Sequence, residues 1–212
     1  MSDRVVAENR RAAELFRRVL AGDLQGLDEA ARLANSVRRA VPKGDSRHPT
    51  VVVNYCAGLL RRYETQGDEG DLRVAVQMLR AETDEMGRRD PYRPGLSATL
   101  GWALLREAEL TGSVATMDEA VRARRDALGA TGRRHSEYDQ RLSDLAGTVA
   151  ARGALTGSLA DLREAVRIHQ AVVRRTPAGR SGVAKPTRAA TADVLGGQDL
   201  EPVLNAFREG AS

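Results

Sequence analysis

Aromatic side chains make up only 3% of the 212 residues. A core built almost without them must use Leu, Val and Ala, which suits close-packed helices. Cysteine occurs once, at Cys56. That excludes an intrachain disulfide framework and a cysteine-based zinc site, and it fits a reducing, cytoplasmic compartment. Lysine is nearly missing too. Lys43 and Lys185 are the only two, so 31 of the 33 basic residues are arginine. No stretch of 18 apolar residues occurs, and the opening MSDRVVAENRRAAELF lacks the apolar segment of a leader. Neither a signal peptide nor a membrane span is therefore expected. Twenty glycines and seven prolines are ordinary for this length and exclude a collagen-like chain.

What is present is repetition. GDLQGLDEAARL from Gly22 returns as GDEGDLRVAVQM from Gly67, GSVATMDEAVRA from Gly112 and GSLADLREAVRI from Gly157. The spacing is 45 residues each time. At that spacing Leu27, Leu72, Met117 and Leu162 align, as do Ala30, Ala75, Ala120 and Ala165. Ala31, Val76, Val121 and Val166 follow, then Leu33, Met78, Ala123 and Ile168. Apolar residues at these offsets form one stripe of an amphipathic helix. The pattern predicts a helix A over 24–41, 70–87, 114–130 and 159–175.

Each helix A is followed by a polar loop and a second apolar segment, helix B: TVVVNYCAGLLRRYET, GLSATLGWALLREAEL and EYDQRLSDLAGTVAARGAL. Pro49 and Pro94 match at the same spacing, at helix starts that tolerate proline. Small residues (Gly58, Gly101, Ala103, Ala146, Gly147) recur in mid-helix, where helices can approach closely. Residues 3–21 carry the B pattern alone. A short B helix is expected around 187–197 and a capping helix over 198–212, with Asp199 as N-cap. The loop 176–189 shows no regular pattern.

The glycine motif is predicted to be the hinge between stacked hairpins. Glycine closes helix B in a left-handed cap at low steric cost, and Asp23, Asp68, Ser113 or Ser158 supplies the next N-cap oxygen. One hairpin cannot bury its apolar face alone, whereas a stack of them buries a continuous core. The expected fold is all-α, an α-α superhelix (solenoid) of hairpins in a single domain over 1–212. Its parts are an N-terminal B-type helix (1–21), repeats 22–66, 67–111, 112–156 and 157–197, and the cap 198–212.

The stretches LLRRYETQGDEGDLRVAVQMLR, LGWALLREAELTGSVATMDEAVRARRDAL and VAARGALTGSLADLREAVRIHQAVV resemble the long-helix tetratricopeptide-like (TPR-like) arrays common in actinobacteria. Those arrays often accompany CHAT-type peptidase domains. The resemblance covers about residues 10–196 and implies a scaffold for other proteins. The usual tetratricopeptide unit has 34 residues and this one has 45, a length shared with HEAT-type repeats, which stand as the alternative fold. No peptidase segment appears in the chain.

No residue set announces a reaction. His48, His135 and His169 form no metal-binding motif. Cys56 reads as a small buried hydrophobe. Asp28, Glu29, Asp118, Glu119 and Glu164 read as first-turn acids favoured by the helix dipole. No glycine-rich phosphate loop follows a strand. Neither catalysis nor a cofactor is expected.

Two polar columns run along helix A. Arg32, Gln77, Arg122 and Arg167 form one; Asn35, Arg80, Arg125 and Gln170 form the other, three residues on and on the same face. Stacked hairpins usually line their concave surface with A helices, so the columns predict a basic groove. Arginine forks suit carboxylates and phosphates. The candidate partner-binding residues are Arg32, Gln77, Arg80, Arg122, Arg125 and Arg167. The expected function is a non-catalytic scaffold that holds an acidic or extended protein segment there. A second basic set lies in the A–B loops: Lys43, Arg88, Arg89, Arg133, Arg134 and Arg180. It carries the alternative of nucleic-acid binding or regulation, which the mild net charge of +4 and the few aromatics disfavour. A small-molecule or enzymatic accessory role, with Trp102, Tyr55, Tyr63 and Tyr138 lining a pocket, is the third reading. Self-association is a further expectation, because solenoid ends expose apolar surface unless capped.

Overall fold

The computed structural model describes residues 3–20 and 23–175. The hinge at Gly22, the loop 176–189, the helices expected around 187–197 and over 198–212, and Arg180 lie outside the described residues. Among the described residues the chain is all-helical: α1 (Asp3–Leu20), a 3₁₀ turn (Leu24–Gly26), α2 (Leu27–Ala40), α3 (His48–Gln66), α4 (Glu69–Glu85), α5 (Arg93–Thr111), α6 (Val114–Gly129), α7 (Tyr138–Thr156) and α8 (Leu159–Arg175). No helix there is long and apolar enough to cross a membrane. The chain divides into two compact units, Met1–Gly132 and Arg133–Ser212.

In the first unit each helix packs on its sequence neighbours, α1 on α2 through to α5 on α6, and α3 also packs on α5. The periodic stripe is the buried one. Leu27, Leu72 and Met117 are each 2% exposed, and Ala30, Ala75 and Ala120 are fully buried. Ala31, Val76 and Val121 are buried as well, whereas the last position of the stripe, Leu33, Met78 and Ala123, is only half-buried. The main core joins Val52, Cys56, Leu59 and Leu60 of α3 to Leu72, Val76 and Leu79 of α4 and Leu96, Leu100 and Leu104 of α5. A smaller cluster holds Val37, Val41 and Val51, with Val5 against it.

The hinges form as expected at Gly67 and Gly112, with φ of +76° and +67°. Each donates its N–H to the carbonyl four residues back, on Tyr63 and on Ala108, at 2.8 Å. Asp68 then accepts from Gly70 N at 2.8 Å and Ser113 from Thr116 N at 3.2 Å. The first repeat differs. Asp23 accepts from Gln25 N at 3.2 Å and opens a 3₁₀ turn, so α2 begins only at Leu27. This places Asp28 and Glu29 in the first turn of α2, as expected. By contrast, α6 starts at Val114 directly after its cap, so Asp118 and Glu119 lie beyond its first turn. Dipole stabilisation does not account for those two acids.

Some glycines exist because a neighbour occupies the space of their missing side chain. A Cβ on Gly58 would lie 2.6 Å from the Phe16 ring of α1, and one on Gly101 would lie 2.8 Å from Arg124 Cδ.

In the second unit α7 and α8 form the same hairpin about Gly157, with φ of +70°. Ser158 Oγ accepts from Asp161 N at 3.3 Å. Leu162 packs 2.9 Å from where a Gly153 Cβ would be, so close approach falls on Gly153, and Gly147 is exposed. Asp161, and not Glu164, is the first-turn acid of α8.

Candidate partner-binding face

The two polar columns separate into different roles. Arg32 on α2, Gln77 on α4 and Arg122 on α6 are exposed and make no hydrogen bond or ion pair among the described residues. They share one repeat position, so the helix stripe that buries Ala31, Val76 and Val121 turns all three outward. In the second column Asn35 Oδ1 accepts from Arg38 Nε and Nη2 at 3.2 and 3.1 Å. Arg80 is half-buried and forks onto Glu119 of α6, Nε at 2.8 Å and Nη2 at 2.7 Å, with Glu107 of α5 at 3.6 Å. The hydrogen bonds between Arg80 and Glu119 raise the arginine's pKa and hold the carboxyl below its ordinary range. Arg80 therefore ties α4 to α5 and α6, which removes it from the set of outward contacts. Arg125 is exposed on α6. In the second unit Arg167 and Gln170 are exposed on α8.

The face is not uniformly basic. Asp28 on α2, Asp84 on α4 and Asp126 on α6 are exposed. Each stands four residues from a column arginine (Arg32, Arg80 and Arg122 in turn), a spacing that puts acid and base on one side of the helix. That signal was present in the sequence, yet aligning cations from repeat to repeat passes over it. The loop set is also partly engaged. Lys43 Nζ holds Glu85 at 2.9 and 3.0 Å, whereas Arg88 and Arg89 are exposed without hydrogen bonds or ion pairs among the described residues. In the second unit Arg133 and Arg134 are exposed.

A second arrangement lies on the B helices of the first unit. Arg61 pairs with Glu64 at 2.9 Å, Glu64 accepts from Arg106 Nε at 2.9 Å, and Arg106 pairs with Glu109 at 2.7 Å. This ladder steps from α3 to α5. Trp102 Nε1 donates to the same Glu64 oxygen at 2.9 Å, and the Arg61 guanidinium stacks 4.8 Å from its ring centre. Trp102 is thus a tether between α3 and α5. Arg-x-x-Glu at 61 and again at 106 was the sequence signal for it. An open cleft of about 590 Å³ borders the ladder, with Tyr63, Glu69 and Leu110 among its walls. The cations and carboxylates of the ladder already satisfy one another.

The remaining chemistry-bearing groups are engaged in structure. Cys56 is fully buried, and desolvation pushes its thiol up to about 12, far from a thiolate at neutral pH. His48 bonds the Val41 carbonyl through Nδ1 at 2.8 Å and faces Glu82 through Nε2 at 3.3 Å. His135 Nδ1 accepts from Glu137 N at 3.2 Å, and burial lowers the pKa of His169. No group of three or more His, Cys, Asp or Glu among the described residues could hold a metal ion. Comparison with family models, curated proteins and solved structures finds no match to this chain.

Proposed function

We propose that the chain is a TPR-like solenoid module that holds an extended segment of a partner protein along the A helices of its first unit, with acidic side chains of the partner meeting the arginines. The observation that carries this reading is the outward, unbonded position of Arg32, Gln77 and Arg122 at one repeat register. Arginines drawn into the packing of this fold are paired, as half-buried Arg62 is with Asp71 at 2.6 Å through Nε and Nη2. Three exposed polar side chains repeated at fixed spacing offer a periodic ligand, such as an extended peptide, equivalent contacts on successive hairpins. The acids beside the columns, Asp28, Asp84 and Asp126, favour a partner of mixed charge, and they discriminate against a uniformly anionic polymer.

The test is affinity capture with the wild type and with an Arg32→Glu, Arg122→Glu variant, each with and without nuclease. Arg80 stays unchanged, because its substitution would break the α4–α6 pair. The expected outcome is a discrete protein that survives nuclease and is lost with the variant. A nuclease-sensitive catch would replace this reading with nucleic-acid binding through Arg88 and Arg89. Equal retention by both chains would remove the arginine face from the function.

A further inference from the structure

The repeat exposes one place where the first unit is under-filled. Leu79 of α4 and Leu96 of α5 are fully buried and close the space between α3, α4 and α5. One repeat earlier the same positions hold Ala34 and Val51, which are 4% and 6% exposed. The first position is therefore three side-chain carbons short and the second one carbon short. Between α1, α2 and α3 the result is a half-enclosed cavity of about 200 Å³, walled by Ala13 and Phe16 of α1, Ala34 and Val37 of α2, and Val51 of α3. Two amides also line it, half-buried Asn9 and, at its solvent edge, exposed Asn54, and neither makes a hydrogen bond among the described residues.

Size, polarity and charge each restrict an occupant. An apolar cavity of roughly 150 Å³ is enough to hold benzene, so this one takes a body of about six to nine non-hydrogen atoms. No charged side chain lines it. A carboxylate or ammonium seated inward, beside half-buried Asn9, would be partly desolvated without a counter-charge. An asparagine amide both donates and accepts, so it complements a head group that does the same.

We propose that this cavity is a binding site for a small neutral molecule with an aromatic or branched aliphatic body and one hydroxyl or primary-amide head, the head turned inward to meet Asn9. The site is separate from the arginine face and stands or falls independently of it.

The full chain is titrated with phenol and benzyl alcohol, and with benzoate and benzylamine as charged counterparts, while thermal unfolding and the methyl NMR signals of Val37 and Val51 are followed. Binding to the folded state raises Tm in a saturable way. The neutral probes are expected to do this and to shift both valines, and the charged ones to do neither. Ala34→Leu restores the residue found one repeat on, and Val51→Leu does so at the second position. Each is expected to fold and to weaken the neutral probes by about tenfold or more. The proposal is overturned if no neutral probe saturates at millimolar concentration, if charged and neutral probes bind alike, or if both variants bind as the wild type does. Should one variant fail to fold, the other variant and the valine shifts decide the same question.

Discussion

Two neighbouring layers of the first unit are built from one repeat and packed differently. Between α3, α4 and α5 the core is closed by Leu79 and Leu96, and α3 and α5 are tied by Glu64 to Trp102 and Arg106. Between α1, α2 and α3 the same positions carry Ala34 and Val51, a cavity remains, and Phe16 fills the notch left by Gly58. A repeat thus specifies backbone geometry more tightly than side-chain volume. The stripe Leu27, Leu72 and Met117 fixes how each hairpin folds. The facing positions vary, and where they shrink from Leu to Ala and Val a space remains.

The largest break in this contrast is Leu79→Ala. It would create in the second layer the void that the first already has. Truncating a fully buried leucine costs about 3 kcal/mol or more. The expected result is a fall of several degrees in Tm and a lower urea midpoint. A cost under about 1 kcal/mol would mean that the second layer relaxes as readily as the first and that the contrast between them is only geometric.

The hairpins and their hinges were legible before the structure because they rest on local physics. Period, cap chemistry and glycine placement all recur at 45 residues, and each acts within a few residues of chain. The partners of Arg80 were not legible in the same way. Its column suggested an outward cation, but Glu119 stands 39 residues away and meets it only because the fold sets α4 beside α6 there. The tether of Trp102 to Glu64 is equally non-local. The late position of Asp118 and Glu119 on α6 was hidden by the 3₁₀ turn, which shifts the helix start in the first repeat alone.

A smaller effect separates the two layers at their glycines. A methyl group on Gly58 meets the tip of the half-buried Phe16 ring, whereas one on Gly101 meets Cγ and Cδ of buried Arg124. Both substitutions regain helix propensity worth about 0.8–1 kcal/mol. Gly58→Ala asks only that a half-buried ring tip shift, whereas Gly101→Ala must move a buried arginine stem, and overpacking of that kind costs about 1–3 kcal/mol. The expected order of urea midpoints is wild type near Gly58→Ala, with Gly101→Ala clearly lower. The reverse order would show that the Arg124 stem yields and that the Phe16 contact is the tighter of the two.

The smallest expected effect uses pH to tell α4–α6 from α2–α4. The hydrogen-bonded pair Arg80–Glu119 has Asn35 and Val74 at the equivalent positions one repeat earlier. The Glu119 carboxyl titrates below its unfolded value because Arg80 bonds its charged form. A depressed carboxyl stabilises the fold above the unfolded value, near about pH 4.3, and that contribution is lost as the pH falls through the folded value. The pair is partly exposed, so the stabilisation is below about 1 kcal/mol. Glu119→Gln should therefore lower the urea midpoint slightly at neutral pH and converge with the wild type in acid. A difference that stays constant across the titration would assign the effect to packing of the Glu119 stem against α4, and the ion pair would then contribute nothing to the contrast.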